Sequence, residues 1–220
     1  MAAAIASFSP AGVKAMANTD AQSQISGEGA LGLFGLWDWW NKTFTADQRT
    51  RVLEEYNPFF SDSAASPLTT GYPSFGSARY FLSSTAMWFN NPSGFEIALK
   101  FMDKAQSCPI SSLSLIRYHF DCMERIRFYY RWRSELDGAL QSAIEACKEQ
   151  IGIAEDVARQ FLLEDNYIPH HTGYEQLAII YEKQKDFHSA IDLCVLGQSQ
   201  GWANDFEKRL SRLRKKIASA

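Results

Sequence analysis

Between residues 172 and 200 large and small side chains recur at helical spacing, and this constrains the fold more than any other stretch. Tyr174, Leu177, Ala178 and Tyr181 share one stripe of a first helix, and Phe187, Ala190, Cys194 and Gly197 one stripe of a second. Ala178, Ala190 and Gly197 have so little bulk that two helix backbones can approach closely there, while the rings fill the space around them. The pattern predicts two short helices nested on each other and on their neighbours.

Helical patterning continues on both sides of this pair. It predicts helices over 77–89, 93–107, 111–132, 135–164, 172–184, 187–200 and 204–217, with turns marked by Asn90-Asn91-Pro92, Cys108-Pro109, Ile168-Pro169 and Gly201. No segment alternates apolar and polar residues long enough to argue a sheet, so the expected class is all-α. Upstream, residues 1–30 are rich in Ala, Ser, Gly and Gln and are expected to form a flexible N-terminal arm. Residues 31–56 form a Trp-rich apolar segment with a short helix, whose start is signalled by Thr45 as cap and Asp47 in the first turn. Residues 57–76 hold Pro58, Pro67, Pro73, Gly71 and Gly76 and read as a linker, which leaves 77–220 as the helical domain.

The small and large positions of 171–204 resemble the tetratricopeptide repeat, whose unit is a helical hairpin of about 34 residues. A copy begun at Arg79 places Leu82, Thr85, Ala86, Phe89, Phe95, Ala98, Met102 and Ala105 in the same slots. A copy begun at Phe120 gives Met123, Ile126, Arg127, Tyr130, Leu136, Ala139, Ala143 and Ala146, with Arg127 where a small residue is wanted. The resemblance implies stacked hairpins in a short right-handed array. The last segment, with an apolar stripe of Phe206, Leu210, Leu213 and Ile217, would be its C-terminal capping helix. The opposite, basic face of that segment (Lys208, Arg209, Arg212, Arg214, Lys215, Lys216) is expected to stay in water. The layout also resembles bacterial proteins that join a Trp-rich segment, here Trp39-Trp40-Asn41-Lys42-Thr43-Phe44, to a repeat hairpin ending in Gly201-Trp202.

A net charge of −3 argues against nucleic acid or an anionic membrane as a general partner. Cys108, Cys122, Cys147 and Cys194 form no metal-binding or redox spacing and read as structural thiols of a reducing, cytoplasmic compartment. The N-terminus lacks the basic and apolar regions of a secretory signal, and no apolar run is long enough to span a membrane.

No nucleophile, phosphate loop or dinucleotide motif is present, so no enzyme activity, cofactor or metal is expected. His170-His171 reads as a cap and a surface residue, while His119 and His188 stand alone. In residues 117–133 five arginines interleave with aromatics. The preferred reading pairs those arginines with Asp121 and Glu124, and RNA binding by an adaptor is the sharper alternative. Residues 31–44 read as a lid folded over the helical body, with a membrane-associated or toxin-like insertion segment as the other possibility.

The resulting expectation is a soluble, non-catalytic scaffold or adaptor for a protein or peptide. By the repeat resemblance the first helices of the hairpins line a concave face. That nominates Tyr80, Ser83, Met87 and Asn90, then Glu124, Phe128 and Arg131, then Glu175, Ile179 and Glu182 as partner-binding positions.

Overall fold

The computed structural model describes residues 29–58, 66–71 and 76–219. The arm expected over 1–28 lies outside the described residues. Among those described there are eleven α-helices, one short 3-10 turn (Ile110–Ser112) and no strand, so the all-α class holds.

Side-chain caps set most of the helix starts. Helices α1 (Gly29–Leu33) and α2 (Trp37–Thr43) precede α3 (Ala46–Glu55), which Thr45 and Gln48 open by exchanging hydrogen bonds in a capping box. Ser77 caps α4 (Ala78–Trp88), which turns back through Asn91 and Gly94 into α5 (Phe95–Gln106). Ser114 caps α6 (Leu115–Arg131), the longest helix. The single helix expected over 135–164 is instead two: α7 (Ala139–Gly152) and α8 (Ala154–Asp165). Gly152 weakens the helix where it breaks, and Ile153 leaves helical geometry at φ −108° and ψ 3°. Next come α9 (Thr172–Lys183), α10 (Phe187–Ser199), opened by Asp186, and α11 (Phe206–Ala218), opened by Asp205. Gly201 takes φ +81° between α10 and α11, the left-handed turn expected of it.

Packing follows chain order. α4 packs on α5, α6 on α7, and α9 on α10; α4 also meets α6, α6 and α7 both meet α9, and α10 meets α11. α8 stands beside α6 and α7 as an extra element. Two large apolar clusters result. In the first, Leu31, Leu36, Trp40, Phe44, Val52 and Tyr56 share one core with Phe81, Leu82, Phe89, Phe101 and Phe128. The second joins Val157 and Phe161 of α8 to Tyr174, Ala178, Ala190, Cys194, Trp202, Phe206 and Leu213.

This revises the expected division of the chain. Gly29 and Ala30 are not part of a flexible arm, because both are buried and open α1. Within the expected linker, Leu68 is fully buried, and the backbone of Pro67 and Leu68 accepts hydrogen bonds from Ala30 and Leu31 at 3.0 and 2.9 Å. Gly29 permits that approach, since a Cβ there would overlap the Leu68 backbone. The remainder of the linker, 59–65 and 72–75, lies outside the described residues.

The nested pair that dominates the sequence packs as its small residues dictate. Ala178, Ala190 and Cys194 are fully buried, and a Cβ on Gly197 would overlap the Phe206 ring of α11. Gly197→Val is therefore expected to destabilise the protein by about 1–3 kcal/mol through overpacking, measured by urea unfolding. An unchanged midpoint would show that α10 and α11 do not approach this closely.

Candidate functional site

The first helices of the hairpins carry the nominated positions, and the structure separates them into three groups. Ser83 and Phe128 are fully buried and Glu124 is 8% exposed, so none of these three can meet a partner. They fill the space where α4 faces α6, a correction to their placement on an open face. Tyr80, Met87 and Asn90 are half-buried. The Arg117 guanidinium covers the Tyr80 ring at 4.1 Å, Met87 packs on the first core, and Asn90 Oδ1 accepts the Trp132 indole N–H at 2.8 Å. Arg131 is exposed, 5.6 Å from the Trp132 ring.

Glu175, Ile179 and Glu182 do share one side of α9, but α11 already reaches across it. Glu182 accepts from Arg212 and Lys216 at 2.7 Å each and from Arg209 at 3.4 Å. Burial works to raise its carboxyl, yet Lys216 and Arg212 hold it below the ordinary range. Glu175 pairs with His170 at 3.1 Å and lies 3.7 Å from Arg209. The basic face of α11 is thus not wholly in water: three of its cations are held by α9, while Lys208, Arg214 and Lys215 have no ion-pair partner among the described residues.

The arginines of 117–133 divide in the same way. Arg125 is buried and lies 3.2 Å from Asp121 Oδ2, and its other nitrogens reach Glu149 of α7. Arg79 of α4 meets Asp121 with two parallel bonds of 3.0 Å. Its remaining donors reach Gln106 at 3.0 Å and the Ala105 and Cys108 carbonyls at 3.4 and 2.9 Å. Tyr118 donates to Glu149 at 2.8 Å. One buried ion network therefore ties α4, the end of α5, α6 and α7. Burial works to raise the Glu149 carboxyl, yet Arg125 and Tyr118 win and hold it below its usual range. Of the five arginines only Arg125 makes the expected pairing with Asp121, whereas Glu124 forms no ion pair among the described residues and one of its carboxyl oxygens lacks a partner. Burial pushes Glu124 up to about 8, only partly offset by its Ser83 hydrogen bond, so it is largely protonated at neutral pH.

His119 and His171, read as separate in the sequence, meet in the structure. Their rings lie 5.2 Å apart, and both are at most 1% exposed. His171 caps α9, its Nδ1 accepting the Tyr174 N–H at 3.2 Å. Trp202 stacks parallel on His119 at 5.6 Å and meets His171 edge-on at 4.4 Å. Gln150 of α7 donates to the His119 carbonyl at 2.9 Å and accepts the Gly173 N–H at 2.7 Å. Burial lowers His119 to about 4 and His171 to about 3, so both rings are neutral.

The four cysteines are unpaired thiols, and three are buried. Burial pushes Cys122 and Cys147 up to about 12, far from thiolate chemistry at neutral pH. Leu31, Leu36, Trp40 and Phe44 of the aromatic segment are committed to the first core. No helix among the described residues is long and apolar enough to cross a membrane. No family model, curated protein or solved structure matches this chain.

Proposed function

We propose that the chain is a non-catalytic, tetratricopeptide-like helical scaffold that holds a protein or peptide partner in a reducing, cytoplasmic compartment. The order of helix contacts carries this reading. In the run α6, α7, α9, α10, α11 each hairpin's first helix touches both helices of the preceding hairpin or its second helix alone, as stacked repeats do. The crossings occur at Ala178, Ala190 and Gly197, where the repeat needs small side chains. The uneven repeat spacing has a physical source, because α8 sits as an insertion between the hairpins α6–α7 and α9–α10. Arg127, placed in a slot for a small residue, is exposed, and Cys122 is the small buried side chain on that helix. This supports a middle copy whose register is shifted along α6. The four unpaired thiols support the compartment.

The reading is tested by panning the full-length chain against displayed linear peptides, with liposome co-sedimentation in parallel. Enrichment of peptides that bind with micromolar Kd is expected. A library that returns nothing above an unrelated helical protein would sink the scaffold, and lipid binding lost on removing residues 1–45 would replace it with the membrane reading.

A further inference from the structure

The C-terminal ends of α6, α9 and α11 lie side by side, and cations collect along that edge. Lys183, the last residue of α9, donates to the Tyr130 hydroxyl near the end of α6 at 2.8 Å. Lys216 near the end of α11 reaches Glu182 near the end of α9 at 2.7 Å. Between the α9–α10 turn and the end of α11 an open cleft of about 580 Å³ is bordered by Lys185, Arg212, Lys215 and Lys216, with Phe187 at its wall.

Helix C-termini attract one cation each through their unpaired carbonyls, and that alone explains a basic residue per end. The edge carries more than that. Arg131 ends α6 and Arg133 follows it, Lys183 ends α9 and Lys185 follows it, and Lys215 stands on α11; all five are exposed, and none forms an ion pair among the described residues. Of the carboxylates at these ends, Glu182 is consumed by α11 and Asp186 caps α10 by accepting the Ser189 N–H, which leaves Glu135 and Asp137, without an ion pair among the described residues, against the five unpaired cations. The edge is thus positive on a chain whose net charge is −3.

We infer that this edge is the docking surface for an acidic polypeptide segment. The inference rests on the scaffold reading and specifies the partner's chemistry. Charge complementarity selects an anionic occupant, and the state of the rings selects polypeptide over RNA. Arg133 lies over Tyr130 at 4.3 Å, Lys183 approaches the same ring at 5.4 Å, and Lys216 lies 5.8 Å from the Phe187 centroid. Arg133 already covers a face of Tyr130, and Lys183 and Lys216 stand near the Tyr130 and Phe187 rings, so a base would have to displace protein cations to stack there. Carboxylates need no such platform, only ammonium and guanidinium groups in reach, while the cleft beside Phe187 accepts an apolar side chain between them.

Fluorescence anisotropy on the full-length chain tests this, with a labelled peptide of Glu alternating with Ser and Leu, its Gln-for-Glu counterpart, and an oligouridylate of matched charge. At low salt the Glu peptide is expected to bind about tenfold or more tighter than the Gln peptide, and tighter than the oligouridylate. The edge variant K183E/K185E/K215E is expected to lose about tenfold in affinity, while the control K42E/K148E/K208E, with equal charge change at exposed positions elsewhere, loses no more than about threefold. Equal binding of Glu and Gln peptides, equal losses in the two variants, or tighter binding of the oligouridylate would each overturn the inference. Display-selected peptides that bind the edge variant undiminished would remove the edge and leave the scaffold. Failure of every peptide to bind would remove both.

Discussion

Asp121→Ala is expected to lower the unfolding free energy by about 3–5 kcal/mol, because it leaves two buried guanidinium groups without their shared carboxylate. Arg79 is 3% exposed and Asp121 fully buried, and their two parallel bonds are supplemented by three contacts from Arg79 to the end of α5. Removing the carboxylate cannot be repaired by water at such a position. Arg125 would retain Glu149, but Arg79 would retain only neutral acceptors. Paired replacement, Arg79→Met with Asp121→Leu, should recover much of the loss, since a buried ion pair removed whole costs far less than one cut in half. Urea unfolding of the wild type, each single variant and the double variant measures this. A loss below about 1 kcal/mol for Asp121→Ala would show that the carboxylate is hydrated and the network marginal.

The sequence revealed what depends on neighbours in the chain. Thr45 announces a helix start because a cap bonds the backbone within three residues. Gly201 announces its turn because a positive φ suits glycine. The nesting of Ala178, Ala190 and Gly197 was legible because packed helices repeat one spacing. The full ion network was not: the nearby arginines offer partners for Asp121, but Arg79 lies 42 residues away and nothing in the sequence joins the two. The same limit hid the meeting of His119 with His171 and Trp202. The candidate face suffered most. Repeat positions say which side of a helix turns inward, but Ser83, Glu124 and Phe128 were buried by what lies opposite: a neighbouring first helix and the core formed with the aromatic segment. For Glu182 the covering element was α11, whose cations the sequence assigned to water. The break at Gly152–Ile153 was missed because apolar spacing continues through it, and only a weak local signal marked the place.

Acidification is expected to destabilise the protein between about pH 6.5 and 4, and His119 and His171 supply the largest part. Both imidazoles ordinarily titrate near 6.5, but in the fold burial lowers them to about 4 and about 3. Above pH 6.5 they are neutral folded or unfolded and contribute no pH dependence. Below it the unfolded chain takes up protons that the fold refuses, so stability falls until the folded values are reached. At pH 4 the loss is roughly 3 kcal/mol for each ring. Glu124 acts in the opposite sense: with its carboxyl raised to about 8, the fold keeps a proton that the unfolded chain releases above about 4.5. Its penalty therefore shrinks as pH falls over the same interval, and it masks close to half of the combined histidine slope. Glu124→Gln should accordingly steepen the acid limb, while the double variant His119→Phe, His171→Asn should flatten it. Phe keeps a ring against Trp202, and Asn keeps an acceptor at the α9 cap. Urea midpoints measured from pH 7 to pH 4 decide the matter. If the double variant shows the same acid limb as the wild type, these rings are not held neutral by burial, and the slope belongs to surface carboxylates instead.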